Sequence, residues 1–213
     1  MVKTGYPVIL RLEGKSVVVA GGGKVAERKV VGLLGTGAEV VVISPDATDE
    51  IQRLSHEGRI IWKQKPFSAS DIANAFLIFA ATNSREINQS IQESAGTRQL
   101  VTIADDPDGS NFHVPAHVQR GSLSIAISTG GASPTLASQI RDQLEQQFDA
   151  SYEGYLDFLA SKRKWILKEV ANPTLKRELL KSIVSPEFLT SAHREEDFIR
   201  LYEACCKETH NSN

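Results

Sequence analysis

Apolar positions along this chain fall into two regimes. Up to about residue 113, short and almost wholly apolar runs alternate with stretches of helical spacing. Ser16-Val17-Val18-Val19-Ala20, Ala38-Glu39-Val40-Val41-Val42-Ile43, Phe76-Leu77-Ile78-Phe79-Ala80-Ala81 and Gln99-Leu100-Val101-Thr102-Ile103-Ala104 are such runs. Apolar residues on successive positions mark strands covered on both faces, which is the habit of parallel sheets. Between the runs, Val25, Val30, Leu33 and Leu34 predict a helix ending near Gly35 or Gly37. Further helices are predicted over Thr48 to His56 and up to about Ala95, with a short helical turn opening at Ser70-Asp71-Ile72-Ala73. Pro7 to Leu12 reads as a short strand and Arg59 to Lys65 as a third strand with a polar return. Strand, helix and strand follow one another within about 30 residues, the size of a βαβ unit. The pattern predicts an α/β fold with a Rossmann-type, doubly wound parallel sheet.

After Pro115 the regime changes. Arg120 to Ser128 alternates apolar and polar positions like a half-exposed strand. Thr129-Gly130-Gly131-Ala132-Ser133-Pro134 then makes a loop before a helix from Pro134 or Thr135 to about Phe148. From Tyr152 to about Lys207 the spacing predicts three helices, separated by Asn172-Pro173 and Ser185-Pro186, before a frayed polar tail from Thr209.

The chemistry sits where the strands end. Gly21-Gly22-Gly23-Lys24-Val25-Ala26 contains the dinucleotide-binding spacing G-x-G-x-x-A directly behind a strand and ahead of a helix. Gly21 allows the tight turn, side-chain-free Gly23 admits a pyrophosphate to the backbone, and Ala26 lets helix and strand pack closely. The helix N-terminus offers N–H groups to an anion. After the second strand, Pro45 and Asp46 stand where a carboxylate would bind the ribose of NAD; Asp46, or Ser44, caps the following helix in the alternative reading. No Arg follows, which favours NAD over NADP. Thr82 and Asn83 end another strand and face the cofactor, or Asn83 or Ser84 caps a helix.

Asp105, Asp106 and Asp108 form either a solvated turn or, at the carboxyl edge of the sheet, the seat of a general base. Hydroxyls and N–H groups in the loop from Thr129 suit an anion, or they simply begin a capped helix. His113 and His117 straddle Pro115, and no neighbouring His or Cys completes a metal-ligand set.

Composition narrows the function classes. Over 213 residues, 41% hydrophobic and 23% charged content is that of a globular protein, and a net charge of −2 offers no footprint for nucleic acid. No apolar run is long enough for a membrane span, and Pro7-Val8-Ile9-Leu10 is too short for a signal-peptide core. Cys205 and Cys206 are adjacent and build no disulfide framework, so a reducing cytoplasm is expected.

Taken in order, these motifs resemble one family. Leu12-x-Gly14-Lys15-x-Val17-Val18-Val19-x-Gly21-Gly22-Gly23-x-Val25-Ala26-x-Arg28-Lys29 opens the match. Ala80-Ala81-Thr82-Asn83, then Asp105-Asp106-Pro107 with Asn111-Phe112 and Pro115, and Arg120-Gly121 with Ile125 to Pro134 continue it. The set, covering roughly residues 7 to 145, resembles the precorrin-2 dehydrogenase/sirohydrochlorin ferrochelatase family of sirohaem biosynthesis.

The resemblance implies NAD-dependent oxidation of precorrin-2, a substrate with several carboxylates, by an intertwined homodimer. It implies an NAD-binding domain over 1–113, an α+β dimerisation and substrate region over 114–148, and a helical region over 149–213. Gly21, Gly22, Gly23, Lys24, Val25, Pro45, Asp46, Thr82 and Asn83 would hold NAD. Asp105 would be the catalytic acid–base group, while Arg120, Ser128, Thr129 and Gly130 would hold the anionic substrate. Some relatives also insert ferrous iron, so a bifunctional enzyme is the alternative; otherwise a downstream chelatase takes the product. A redox sensor that binds NAD without chemistry is the alternative from another class, and it would not need Asp105 or the Ser128 loop.

Overall fold

The computed structural model describes residues 5–211 and divides into two units, one spanning Tyr6–Val114 and the other beginning at Pro115. In the first unit the chain runs β1 (Ser16–Ala20), α1 (Lys24–Leu33), β2 (Glu39–Ile43), α2 (Asp49–His56), β3 (Ile61–Lys63), a 3₁₀ turn (Ala69–Ile72), β4 (Leu77–Ala80), α3 (Arg85–Ser94) and β5 (Leu100–Ile103). All five strands are parallel, in the order β3-β2-β1-β4-β5. The expected doubly wound sheet is present.

The wholly apolar strands follow from the two layers of helix. Val17 and Val19 of β1 face a core with Ala26 and Val30 of α1 and Ile51 and Leu54 of α2. Val18 and Ala20, on the opposite face, pack with Ile72, Ile78, Ile91 and Val101 beneath α3. Every residue of β1 after Ser16 is thus buried, each valine contributing roughly 1.5–3 kcal/mol. The chain winds outward from β1 to β3, returns, and winds the other way from β4 to β5. That reversal leaves a crevice above the carboxyl ends of β1 and β4.

The strand expected over Pro7 to Leu12 does not form. Tyr6, Val8 and Ile9 lie exposed, and only Leu12 reaches the core. One reason is that the β5 edge is already satisfied. Ser110 Oγ accepts from Ile103 N at 2.9 Å and Asn111 Oδ1 accepts from Val101 N at 2.8 Å, so side chains blunt the edge of the sheet.

The second unit holds an antiparallel hairpin, β6 (Ala116–Arg120) and β7 (Leu123–Ile127), followed by α4 (Pro134–Gln147), α5 (Ser151–Glu169), α6 (Pro173–Ser182), α7 (Pro186–Thr190) and α8 (Arg194–Asn211). The single strand expected from Arg120 to Ser128 is therefore half of a hairpin, with Arg120 on the other strand and Gly121 turning at φ 52°. Four helices follow α4 rather than three. The last expected helix breaks after α7, where Arg194 donates to the carbonyls of Phe188 and Leu189 and Ser191 Oγ accepts from His193 N. Asn172 and Ser185 cap α6 and α7, each ahead of a proline, as the dipeptides predicted.

Phe158 stacks on Phe188, and Trp165 meets Phe198 and Tyr202 edge-on, within this helical core. The tail from Thr209 stays helical to Asn211, and its last two residues lie outside the described ones. No helix among the described residues is long and apolar enough to cross a membrane.

A polar clamp starts the return to β4. Asp71 Oδ2 accepts from Lys65 Nζ at 2.6 Å and from both the backbone and hydroxyl of Ser68 at 2.9 Å. Burial opposes the charge on Asp71, yet these bonds win and hold its carboxyl below the ordinary value. A depressed folded pKa means stability that is present above the ordinary carboxylate range and lost as the pH falls through the depressed value. Asp71→Asn is therefore expected to lower stability by about 1 kcal/mol at neutral pH. Urea titrations of both proteins across pH should show that difference closing in acid; a constant difference would contradict the assignment.

Candidate functional site

Three strand ends build the site within the first unit. At the end of β1, Gly21 turns at φ 120° and its N–H donates to the Ile43 carbonyl at 2.9 Å. A Cβ there would strike the Ala81 carbonyl and stand 3.1 Å from Thr82 N, so β1 and β4 approach as closely as glycine permits. Gly22 is equally constrained on its other side, because a Cβ would overlap the Asp46 carbonyl and lie 2.8 Å from Ser44 Oγ. Gly23 differs: nothing stands within 4 Å of where its Cβ would be. Two glycines are thus fixed by the protein, and the third opens outward.

Gly23 is also the N-cap of α1, and no side chain caps it. By contrast Thr48, Ser84, Ser133, Asn172 and Ser185 cap α2, α3, α4, α6 and α7 with their side chains. Lys24 and Val25 follow on the exposed rim, with Val25 37% exposed; the apolar face expected for it belongs to Ala26. Lys24 Nζ pairs with Glu27 at 3.0 Å. The Thr48 hydroxyl and then Lys24 hold the Glu27 carboxyl below its ordinary value, so this acid of the first turn is engaged sideways rather than over the helix end. Open space, uncapped N–H groups and a helix dipole fit a dinucleotide pyrophosphate.

Pro45 and Asp46 are exposed beside this turn, and Thr48 rather than Ser44 or Asp46 caps α2. The capping alternative for Asp46 falls away, and the acid is left facing outward. At the end of β4 the capper is Ser84, which accepts from Ile87 N at 3.3 Å, and Asn83 is exposed. The Thr82 hydroxyl is engaged internally: it lies 2.7 Å from Asn88 Oδ1 and accepts from Ser84 N at 3.2 Å. The Thr82 backbone is engaged too, its N–H donating to Asn88 Oδ1 and its carbonyl accepting from Asn88 Nδ2, each at 3.2 Å, so the exposed residue at this strand end is Asn83.

The acids after β5 separate by partner. Asp106 closes the turn, with Oδ1 accepting from Gly109 N at 3.0 Å. Asp105 is exposed and accepts only from Asn88 Nδ2, at 3.1 Å to Oδ1, among the described residues. It borders a pocket of about 540 Å³ shared with Arg85, Gln92 and Glu93 of α3 and with Ile103 and Asp106. In sheet order β5 is two strands from β1, so the acid and the glycine turn lie about 10 Å apart across the strand ends. Asn88, the buried polar residue that ties Asp105 to Thr82, has no motif signal. Only its polarity on the α3 face that also carries Ile91 could have marked it.

The residues assigned to the second unit do not converge. Ser128 is exposed and its Oγ accepts from Gly130 N at 3.2 Å, while Thr129 Oγ1 donates to the Ser133 carbonyl at 3.1 Å. Ser133 caps α4, so the capped-helix reading of that start holds. Gly130 and Gly131 turn at positive φ with open space around them. Arg120 lies at the opposite end of the hairpin, where β6 and β7 pair Arg120 with Leu123 and Ala116 with Ile127. Its guanidinium donates to the Gln119 carbonyl at 2.9 Å and the Glu145 carbonyl at 3.4 Å, toward the end of α4. Arg120 and the Ser128–Gly130 loop are not brought together in the chain. No group of three or more His, Cys, Asp or Glu that could hold a metal occurs among the described residues.

A protein named precorrin-2 dehydrogenase from Priestia megaterium is 35% identical over 198 residues, covering 93% of this chain and 98% of its own. This chain belongs to the precorrin-2 dehydrogenase family. Family models for NAD(P)-binding, for the central part of a sirohaem biosynthesis protein and for a SirC C-terminal domain match residues 8–116, 120–147 and 152–198. A solved structure of SirC, a precorrin-2 dehydrogenase, matches with a TM-score of 0.81 at 35% identity, covering 94% of this chain and all of that one. A siroheme synthase from Xylella fastidiosa (strain M12) is 36% identical over 208 residues, and the chain spans 44% of its length. The NAD(P)-binding model, over residues 8–116, spans the uncapped turn at Gly23.

The three glycines separate folding from binding. Gly22→Ala is expected to destabilise the protein by about 1–3 kcal/mol through overpacking against Asp46. Gly23→Asp should leave stability within about 1 kcal/mol, because aspartate is a good N-cap, yet abolish NAD binding by placing a carboxylate where a pyrophosphate would sit. Melting curves with and without NAD read both; retained affinity in Gly23→Asp would reduce the loop to a turn.

Proposed function

We propose that this protein is an NAD-dependent dehydrogenase that oxidises precorrin-2 to sirohydrochlorin in sirohaem biosynthesis. The observation that carries the proposal is the placement of an exposed carboxylate, Asp105, two strands from an uncapped dinucleotide turn, in a chain of this family. NAD, when bound, supplies the hydride acceptor. The chain's own contribution is to hold the anionic cofactor on the N–H groups of Lys24 and Val25 and to accept the proton.

Gly21 and Gly22 bring the turn close to β4 and β2. Pro45 and Asp46 meet the adenosine end, and Thr82 and Asn83 line the crevice. Removing two hydrogens from the reduced macrocycle sends one away as hydride, and Asp105 takes the other as a proton. Asp106 is assigned to the turn instead, where its Oδ1 accepts from Gly109 N.

Ser128, Thr129 and Gly130 are proposed to bind substrate carboxylates: an exposed hydroxyl stands next to open, left-handed glycines. Arg120 is assigned to the same anions only as a separate contact. Homodimerisation through residues 114–148 is supported by the hairpin itself, since two strands with half-exposed faces form a marginal sheet and leave edges for pairing. We keep 1–113 as the NAD-binding part, 149–213 as the helical part, and the cytoplasm as the location.

The test is an assay with precorrin-2 and NAD, with and without ferrous iron. Wild type is expected to form NADH, and Asp105→Ala to lose about 100-fold or more in turnover while still binding NAD. Absence of NADH with NAD bound would support a sensor instead. Iron-dependent sirohaem formation would add a chelatase activity, and full activity in Asp105→Ala would remove the acid from the mechanism.

A further inference from the structure

We propose that Asn88 is the positioning residue of this site, holding Asp105 against the end of β4 so that one carboxylate oxygen is fixed and the other is left for the reacting proton. The inference rests on the reading of Asp105 as the proton acceptor. Asn88 is 2% exposed and sits on the sheet-facing side of α3 with Ile91. A buried carboxamide in a helix interior helps neither helix propensity nor the core, so its bonds have to account for it.

Both ends of the carboxamide are engaged. Oδ1 accepts from Thr82 N at 3.2 Å and from Thr82 Oγ1 at 2.7 Å. Nδ2 donates to the Thr82 carbonyl at 3.2 Å and to Asp105 Oδ1 at 3.1 Å. The orientation is determined, because Thr82 N–H can only donate and therefore needs an oxygen. Nδ2 must then face Asp105, and it can only donate to the carboxylate.

The clamp also reaches the cofactor turn. Gly21 lies against the Ala81 carbonyl and Thr82 N, so the glycine turn, the β4 end, Asn88 and Asp105 form one contiguous series. Without Asn88, Asp105 would be an exposed turn residue with free rotation about its side chain. With it, the acid is referenced to the same strand end that borders the dinucleotide. Anchoring a reacting group on a helix gives tighter placement than a loop allows, and a misplacement of about 1 Å can cost about 100-fold in rate.

The test uses Asn88→Asp, which keeps the oxygen that Thr82 N–H and hydroxyl need and removes the amide donor shared by Asp105 and the Thr82 carbonyl. Positioning predicts that kcat falls about 10- to 100-fold, with KM for precorrin-2 and Kd for NAD within about threefold of wild type. In the swap Asn88→Asp with Asp105→Asn, an amide again faces a carboxylate. The melting temperature should recover toward wild type while kcat does not, because the carboxylate is now at the wrong end.

Wild-type kcat in folded Asn88→Asp would overturn the proposal. So would a loss that appears equally in NAD affinity and KM, which marks a merely structural residue. Should Asn88→Asp not fold, the side-chain amide NMR signals of Asn88 report the same contact in Asp105→Ala. Shifted signals support the clamp, and unchanged ones overturn it. The two readings fail differently: full activity in Asp105→Ala removes the acid itself, whereas loss there with full activity in Asn88→Asp removes only the clamp.

Discussion

The site depends on how closely the end of β1 approaches the end of β4. Gly21 leaves the strand with a backbone that no other residue adopts easily, and its missing side chain lets the turn rest against the Ala81 carbonyl. This contact sits at the reversal in strand order, between the half of the sheet wound toward β3 and the half wound toward β5. It sets the distance between a helix N-terminus that is open to an anion and a strand end that leads, through Thr82 and Asn88, to a carboxylate. Move either strand end and the glycine turn loses its register with Asp105.

Two helix starts in this chain looked alike in sequence, each following glycines, and the structure separates them. At α1 the cap is Gly23, with no side-chain bond and open space ahead of it. At α4 the cap is Ser133, whose hydroxyl accepts from Leu136 N, and Thr129 closes a ring with Ser133. The first retains its capacity for an anion at the helix end. The second has used that capacity internally, which leaves the exposed Ser128 hydroxyl and the open glycines as what the loop offers. The difference lies in one hydroxyl at the capping position.

Much of this was legible in the residues because the physics acting there is local. Strands buried on both faces must be apolar throughout, so β1, β2, β4 and β5 announced themselves, as did the proline-marked starts of α6 and α7. The failures share a cause in longer-range contacts. Pro7 to Leu12 has the composition of a strand but does not pair with β5, where Asn111 and Ser110 occupy the backbone donors of Val101 and Ile103. Residues Ala116–Arg120 form a strand only because Leu123–Ile127 folds back on them. The break before α8 depends on Arg194 reaching carbonyls of Phe188 and Leu189. Asn88 was invisible for the same reason: its partners lie 6 and 17 positions away, across two strand ends. Asp105 could be preferred over Asp106 only by resemblance; in the structure Asp106 accepts from the Gly109 backbone and Asp105 from the Asn88 amide.

The central claim is that one crevice, above the ends of β1, β4 and β5, holds both the dinucleotide and the acid. The most direct measurement is a crystal structure of the protein with NAD bound. The account predicts the pyrophosphate on the N–H groups of Lys24 and Val25, the adenosine toward Asp46, and the nicotinamide beyond the β4 end on the side of Asp105. A nicotinamide lying over β2 and β3, or a pyrophosphate away from Gly23, would contradict it.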